Sequence, residues 1–485
     1  MTERTIPPDL DEFQKEDVRR MAGAMCLGNF NPVGAGKTLE ALTCIQTWLK
    51  LGVIDGALVV GRKSTLLMTW AAEIEKWFPG GMTYTTVTGD IPWRRRQELW
   101  KDLGRNDVVI CNWEILQGLK DREAIIERMK CKRVAVIGDE IHIVRNWETQ
   151  LWKAYVSIRE LSHRSLGLTG TPYNTNPMDL YGVMSAIGIN LGPAAKFQDT
   201  FVISLVKKIP NPHPNYYKPY IKKLIPIGFG VDHRPFLEAM LQQNCIRREP
   251  KEITLPPLRE ETRLVEQNAE EKKMYGAFKH EVGADLEGMT ESELLQWVDS
   301  GFTIHSKLRQ ILSGKCADKM VPSKDAELLE LLPELVAHEQ KVIVFSPYRE
   351  TVMRLERLIK KETGERVVTI HGENTLAQRY TNLKHFQEDV AVKVLLMTTA
   401  GGEGLNLQCA SRIVFFDRMY NPAAEDQILG RVYRRGQVSE CIRINFQVPD
   451  TLDEEILTTL KLRRRTMHQV KLMMTRDQRT GGILA

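Results

Sequence analysis

Asn31-Pro32-Val33-Gly34-Ala35-Gly36-Lys37-Thr38 constrains this chain more than any other stretch, because it sets a glycine turn directly ahead of an amphipathic helical run. Glycines at 34 and 36 let successive backbone N–H groups converge, and a helix starting at Thr38 aims the positive end of its dipole at the same point. Such a turn holds phosphates. Val33, Gly34, Ala35, Gly36, Lys37 and Thr38 are therefore candidate nucleotide-binding residues, with the Lys37 ammonium on the β and γ phosphates and the Thr38 hydroxyl on magnesium. The strict pattern has glycine where this chain has Asn31. Taken alone, the octapeptide leaves open a glycine turn that merely caps an ordinary helix.

Apolar runs fit for buried strands follow. Ala57-Leu58-Val59-Val60 reads as a short strand, then come Lys63-Ser64 and a helical run holding Trp70, Ile74 and Trp77; Asp107 to Cys111 and Val134 to Ile137 repeat the strand pattern. Strand, helix, strand in repetition implies an α/β class, with a parallel sheet covered by helices and ligand sites at the carboxyl ends of the strands. Asp139 and Glu140 stand just past one such strand. One carboxylate there can hold magnesium, and the next can orient and deprotonate an attacking water. An acidic turn ahead of a helix is the plain alternative, and the upstream phosphate loop weighs against it.

Leu168-Thr169-Gly170-Thr171-Pro172 is a further strand end. In order, Gly-x-Gly-Lys-Thr, Asp-Glu-x-His and Thr-Gly-Thr-Pro resemble motifs I, II and III of a superfamily II helicase or translocase. The resemblance implies that Phe13-Gln14 recognises adenine. It also implies that His142 and the Thr169 to Thr171 segment relay the nucleotide state to a nucleic acid and to a second lobe.

That second lobe is legible further on. Lys341 to Ser346, Arg366 to Ile370 and Val392 to Met397 read as strands of a second parallel sheet, the last opening into Thr398-Thr399-Ala400-Gly401-Gly402-Glu403-Gly404-Leu405-Asn406-Leu407. Glycines there allow close backbone approach. After a strand at Ile413 to Phe416 come Asn421-Pro422 and the run from Gln427 to Gln437. Arg431 and Arg434, three apart, would share a helix face and neutralise charge developing on a γ phosphate.

These segments closely resemble motifs V and VI of the Swi/Snf-like branch. Arg247-Arg248-Glu249-Pro250-Lys251 with Leu255-Pro256 resembles its Arg-Arg-x-Lys and Leu-Pro pair. The resemblance covers nearly the whole chain and implies a DNA-dependent ATPase in the compact single-motor form that phages or bacteria carry, using ATP and magnesium. By carry-over Gly404 and Asn406 line the nucleotide cleft, while Gln427, Arg431 and Arg434 complete a catalytic set with Lys37, Asp139 and Glu140. Lys63, Ser64, Asn112 and Thr398 would contact the nucleic acid. Three departures stand out: Asn31-Pro32-Val33 where the family usually has Asp-Glu-Met, Thr399 where it has arginine, and Tyr420 where it has tryptophan.

Between Thr200 and Val231 there is no acidic residue, whereas Lys207, Lys208, Lys218, Lys222 and Lys223 are interleaved with Tyr216, Tyr217 and Tyr220. A basic, aromatic segment of this kind can grip a nucleic-acid backbone, or its tyrosines can pack on the lobe. Domain boundaries follow. Residues 1–257 form a first RecA-like lobe with a basic insertion near 195–235, and residues 258–322 a helical insertion and linker. Residues 323–455 form a second RecA-like lobe, and 456–485 a basic C-terminal helix that braces the first lobe or binds DNA.

Composition sets limits on these readings. A net charge of +5 over 485 residues is small, so nucleic-acid binding has to come from local patches. The eight cysteines have no metal-ligand spacing and no apolar run approaches a membrane span, which leads to an expectation of reduced thiols in a cytosol. Double-stranded DNA is the expected partner, with branched DNA as a variant. The expected function is an ATP-driven translocase on duplex DNA, and its rivals are a strand-separating or annealing helicase and an ATP-gated binding switch with little turnover.

Overall fold

The computed structural model describes residues 10–62, 69–173, 176–210, 220–248, 256–277, 308–314, 321–399, 405–419, 421–434 and 436–454, with 456–457, 461 and 473–474 beyond them. The chain divides into two units, Met1–Thr254 with Arg463–Ala485, and Leu255–Leu462. Each is a RecA-like lobe built on a parallel sheet.

Seven strands form the first sheet: β1 (Cys26–Asn29), β2 (Gly56–Gly61), β3 (Tyr84–Val87), β4 (Val108–Asn112), β5 (Val134–Asp139), β6 (Arg164–Leu168) and β9 (Cys245–Ile246). Their order is β3-β4-β2-β5-β6-β1-β9, and every neighbouring pair is parallel. Covered on both faces by helices, β2 and β4 are buried at every position, which is why they read as unbroken apolar runs. Val59, Ile110, Ile137 and Leu166 pack with Ile45 and Trp48 of helix α2 (Lys37–Lys50) in the main core of this lobe. Each fully buried aliphatic side chain of this kind contributes about 1.5–3 kcal/mol.

Register positions the chemistry. β1 pairs Asn29 with Leu168, and β6 pairs Leu168 with Asp139. The phosphate loop after β1, Thr169 after β6 and Glu140 after β5 thus leave the sheet side by side at its carboxyl edge.

Six strands build the second sheet: β10 (Leu258–Leu264), β11 (Val342–Phe345), β12 (Arg366–Ile370), β13 (Val392–Met397), β14 (Arg412–Phe415) and β15 (Cys441–Gln447), in the order β10-β15-β14-β11-β13-β12 and all parallel. Val344, Leu396, Val414, Ile444 and Phe446 centre its core.

Two segments differ from the sequence expectation. Leu258–Leu264, expected within a helical linker, is an edge strand paired along its length with β15. It carries Arg259, Glu260, Glu261 and Arg263, and charge on an edge strand discourages further pairing, so its sequence lacks the apolar signal of an interior strand. Residues 269–277 and 308–312 are helical, and the residues between lie outside the described ones. The basic segment near 195–235 is a two-stranded antiparallel hairpin of β7 (Val202–Pro210) and β8 (Tyr220–Phe229). Of the C-terminal basic segment, residues 456–457, 461 and 473–474 are described, and Ile456, Met473 and Met474 are buried.

Candidate nucleotide site

The loop after β1 has the conformation a phosphate cradle requires. Gly34 and Gly36 adopt φ of 87° and 89°, in the left-handed region that favours glycine. A Cβ on Gly36 would lie 2.5 Å from Gln14 Nε2, so the position is closed sterically as well. α2 then begins at Lys37, with Thr38 in its first turn.

Gln14 lies on helix α1 (Glu12–Gly23), fully buried, and its Nε2 donates to Ala35 O at 3.0 Å. The residue expected to recognise adenine thus also braces the loop. The Lys37 ammonium donates to Asn31 O at 2.8 Å and Pro32 O at 2.9 Å. Burial pulls its pKa down to about 8 against the attraction of Glu140, Glu40 and Asp139. A γ phosphate near the ammonium would favour its charged form.

Behind the loop runs a buried polar chain. Asn31 Nδ2 donates to Asp17 Oδ2 at 2.7 Å, Asn31 Oδ1 accepts from Arg248 N at 2.9 Å, and Asn29 Nδ2 donates to Glu40 Oε2 at 2.6 Å. Arg248 closes it with bonds to Asp17 Oδ1 of 2.6 and 3.1 Å. Arg247 donates to Phe30 O, and to Gly170 O at 3.3 Å, tying the loop to the Thr-Gly-Thr-Pro turn. The Arg-Arg pair stands out in the sequence; Asp17 carries no sequence signal, because an acid on a helix reads as a surface residue.

Asp139 ends β5 with a half-buried carboxylate that accepts from Trp70 Nε1 at 2.9 Å. Burial, then the neighbouring charge of Glu140, pushes its pKa up to about 6. A divalent cation would relieve both effects, so this carboxylate with the Thr38 hydroxyl fits magnesium. Among the described residues no cluster of three or more His, Cys, Asp or Glu is placed to hold a metal ion. Magnesium characteristically takes one or two carboxylates and completes its shell with substrate phosphates and water.

Glu140 sits at φ 52°, ψ 48°, a left-handed conformation rare for a residue with a side chain, and such strain concentrates at functional sites. Its Oε2 is 3.2 Å from His142 Nδ1 and accepts from Thr169 Oγ1 at 3.3 Å, while His142 Nδ1 and Thr169 Oγ1 are 2.9 Å apart. Thr171 N donates to Thr169 Oγ1 at 3.1 Å. The acid past β5 and the turn past β6 are thereby one hydrogen-bonded unit.

Asn112, expected to contact nucleic acid, is buried, with Oδ1 accepting from Gly89 N at 3.1 Å and Nδ2 donating to Glu114 at 2.5 Å. Its carboxamide shapes the loops after β3 and β4. Lys63, Ser64 and Gly404 lie outside the described residues.

In the second lobe Thr398 is buried just past β13, its N donating to Ile370 O at 3.1 Å, and Asn406 is exposed. Gln427 and Arg431 lie on the helix Pro422–Val432. Arg434 does not share that helix. Tyr433 N makes its last bond, to Leu429 O at 2.8 Å, and the chain then bends so that Gln437 N donates to Arg434 O at 3.0 Å. Gly436 at φ 93° permits that exit. Leu407 N donates to Arg431 O at 3.0 Å, and Gln437 Nε2 donates to Ala410 O at 2.9 Å, so the two motif segments are bonded together.

Sequence reasoning missed what orients this helix. Glu425 in its first turn is fully buried, bonded by Arg418 at 2.8 and 2.9 Å and by Arg443 at 2.5 Å. Burial opposes its ionisation, but the Arg418 bonds and the two guanidinium charges win and hold its pKa below the usual carboxylate range.

A model of the SNF2-related domain matches residues 30–317, and one of the helicase conserved C-terminal domain matches residues 323–436. The chain is 25% identical to the Bos taurus protein "DNA excision repair protein ERCC-6-like", and 25% identical to "DNA repair and recombination protein RAD54-like" from Drosophila ananassae, with 92% of this chain covered in both cases. It spans 40% and 61% of those proteins' own lengths. A solved structure described as "Sulfolobus solfataricus SWI2/SNF2 ATPase core in complex with dsDNA" is 22% identical, covering 98% of this chain and 95% of that one, with a TM-score of 0.42. More than half of this chain is spanned by the first domain model, and it belongs to the SNF2-related family.

Proposed function

We propose that this chain is an ATP-driven motor that moves along double-stranded DNA. The observation that carries the reading is the bonded set Glu140, His142 and Thr169 at one sheet edge with Lys37, which joins a base for water to the turn expected to report on the nucleic acid. Lys37 and the backbone N–H groups of residues 34–38 hold the triphosphate. Magnesium, when bound, neutralises charge across the β and γ phosphates. Glu140 Oε2 orients a water in line with the γ phosphorus and takes its proton. As the phosphate leaves, the bond from Thr169 to Glu140 changes, and Thr171 carries that change toward bound DNA. Arg431 and Arg434 supply positive charge from the second lobe, and cycles of closure and reopening step the lobes along the duplex.

Intact acid and arginine positions favour turnover over a passive switch. The test is ATPase rate with duplex, single-stranded and no DNA, run beside triplex-displacement and strand-separation assays. Duplex stimulation with triplex displacement and no strand separation is the expected result. Strand separation would point to the helicase rival, and binding without turnover to the switch.

A further inference from the structure

Asp139 ends β5 where two indole N–H groups, from the segments that follow β2 and β4, converge on it. Trp70 Nε1 donates to Asp139 Oδ2 at 2.9 Å, and Trp113 Nε1 donates to Asp139 O at 3.2 Å. One bond holds the carboxylate and the other the main chain beneath it. Both rings are buried, Trp70 in the main core of the lobe with Ile74 and Phe78, Trp113 against Tyr155 at 5.0 Å between ring centroids. A donor fixed by packing cannot follow a turning carboxyl group, so it sets that group's orientation. Thr69 and Trp70 are π-helical ahead of the helix Ala71–Trp77, and such turns are frequent at functional sites.

A buried indole N–H needs an acceptor, and a main-chain carbonyl suffices. Trp48 Nε1 donates to Ala22 O and Trp152 Nε1 to Gly182 O, both at 2.9 Å. Trp100 Nε1 reaches a carboxylate, Asp121 Oδ1 at 2.8 Å, but Arg96 already neutralises that carboxylate at 2.7 Å. Asp139 differs, since it makes no ion pair among the described residues. A carboxylate with a fixed donor on one oxygen and no cation of its own is an arrangement that a metal ion completes, and carboxylates that bind metals are characteristically held by such hydrogen bonds.

We propose that Trp70 is a positioning residue for magnesium, its indole N–H holding the Asp139 carboxylate in the orientation that takes the ion. The proposal rests on the magnesium role given to Asp139 in the motor reading. Because Trp70 acts through Asp139, it bears on the metal-dependent part of ATP binding, whereas Lys37 and the backbone N–H groups of residues 34–38 hold the triphosphate with or without the ion.

The experiment uses the full chain and a fluorescent, non-hydrolysable ATP analogue, whose affinity is measured in EDTA and at saturating magnesium. The ratio of the two affinities reads the coupling between metal and nucleotide. Asp139→Asn should abolish most of the wild-type ratio. Trp70→Phe keeps an aromatic ring and removes the N–H; it should match the wild type in EDTA and lose about tenfold from the ratio, the lower end of the effect of deleting a hydrogen-bond partner of a metal ligand. Trp48→Phe is the control for packing, because it also shrinks a core ring of the same lobe and deletes an indole bond, one made to a carbonyl of α1, and it should keep the ratio. An unchanged ratio in Trp70→Phe beside a reduced one in Asp139→Asn overturns the proposal, as does an equal loss in Trp48→Phe. An unchanged ratio in Asp139→Asn removes the magnesium role itself, and the proposal with it. Should Trp70→Phe not fold, 3-benzothienylalanine at position 70 retains the shape of the ring with sulfur in place of N–H, and an unchanged ratio there overturns the proposal. A reduced ratio in Trp70→Phe with no duplex-stimulated hydrolysis in the wild type would leave the positioning role standing and remove the motor.

Discussion

Asn31→Asp restores the residue the family usually carries at this position, yet in this chain it should be harmful. Asn31 Nδ2 donates to Asp17 Oδ2 at 2.7 Å and neither residue is exposed, so an aspartate would set two carboxylates face to face in a buried site. At an effective dielectric near 20, unit charges about 2.7 Å apart repel by about 6 kcal/mol, an upper bound. Arg248, bonded to Asp17 at 2.6 and 3.1 Å, offsets part of this, and the new carboxyl can escape the rest by keeping a proton. The net cost is about 2–4 kcal/mol. Asn31 O also accepts from the Lys37 ammonium at 2.8 Å, so a displaced loop misplaces Lys37. ATP affinity should fall on the order of tenfold, equivalent to about 1.4 kcal/mol. Urea unfolding without nucleotide and KM for ATP read the two effects. The double variant Asp17→Asn, Asn31→Asp exchanges the partners and should recover most of both. An Asn31→Asp protein within about 0.5 kcal/mol of wild type, with an unchanged KM, would refute the reasoning, since surface substitutions stay inside that range.

In the second lobe, Lys324→Met should cost about 3–5 kcal/mol by chemical denaturation, because Lys324 Nζ lies 3.2 Å from Asp417 and 3.1 Å from Asp453, all three buried, and two carboxylates lose their counter-charge. Glu425, whose folded pKa is depressed, contributes stability that is complete above the ordinary glutamate range and is lost as pH falls through the folded value. Urea midpoints from neutral to acid pH should therefore fall less steeply in Glu425→Gln than in wild type; parallel curves would exclude that role. Arg434→Ala should cut turnover by about three to five orders of magnitude while sparing ATP affinity, and Arg434→Lys should rescue poorly because an ammonium lacks the planar fork. Steady-state ATPase with saturating duplex, beside a nucleotide-binding titration, checks both.

Interior strands are legible in the sequence because burial on both faces leaves them no polar alternation. Val392–Met397, in the interior of the second sheet, is bounded as its apolar run is, for that reason. β10 is not legible, because an edge strand rich in Arg and Glu meets water along one side and resists further pairing, and so reads like a solvated helix or linker. The hairpin is hidden by its prolines, which argue against regular structure until the pairing partner is known. At the site, Lys37, Asp139 and Glu140 follow from strand ends and spacing. The Asn31 departure is visible, but its meaning requires Asp17 and Arg248, which lie 14 residues before and 217 after it in sequence. The spacing of three places Arg434 on a helix face, and spacing cannot register where a helix ends.

ATP turnover by Glu140→Gln tests the central claim most directly. The amide keeps the shape of the side chain and cannot take a proton from water, while Asp139 and Lys37 are untouched. With saturating duplex the variant should bind ATP with wild-type affinity and lose turnover almost completely. Hydrolysis at the wild-type rate would contradict the assignment of Glu140 as the base and, with it, the mechanism built on its bonds to His142 and Thr169.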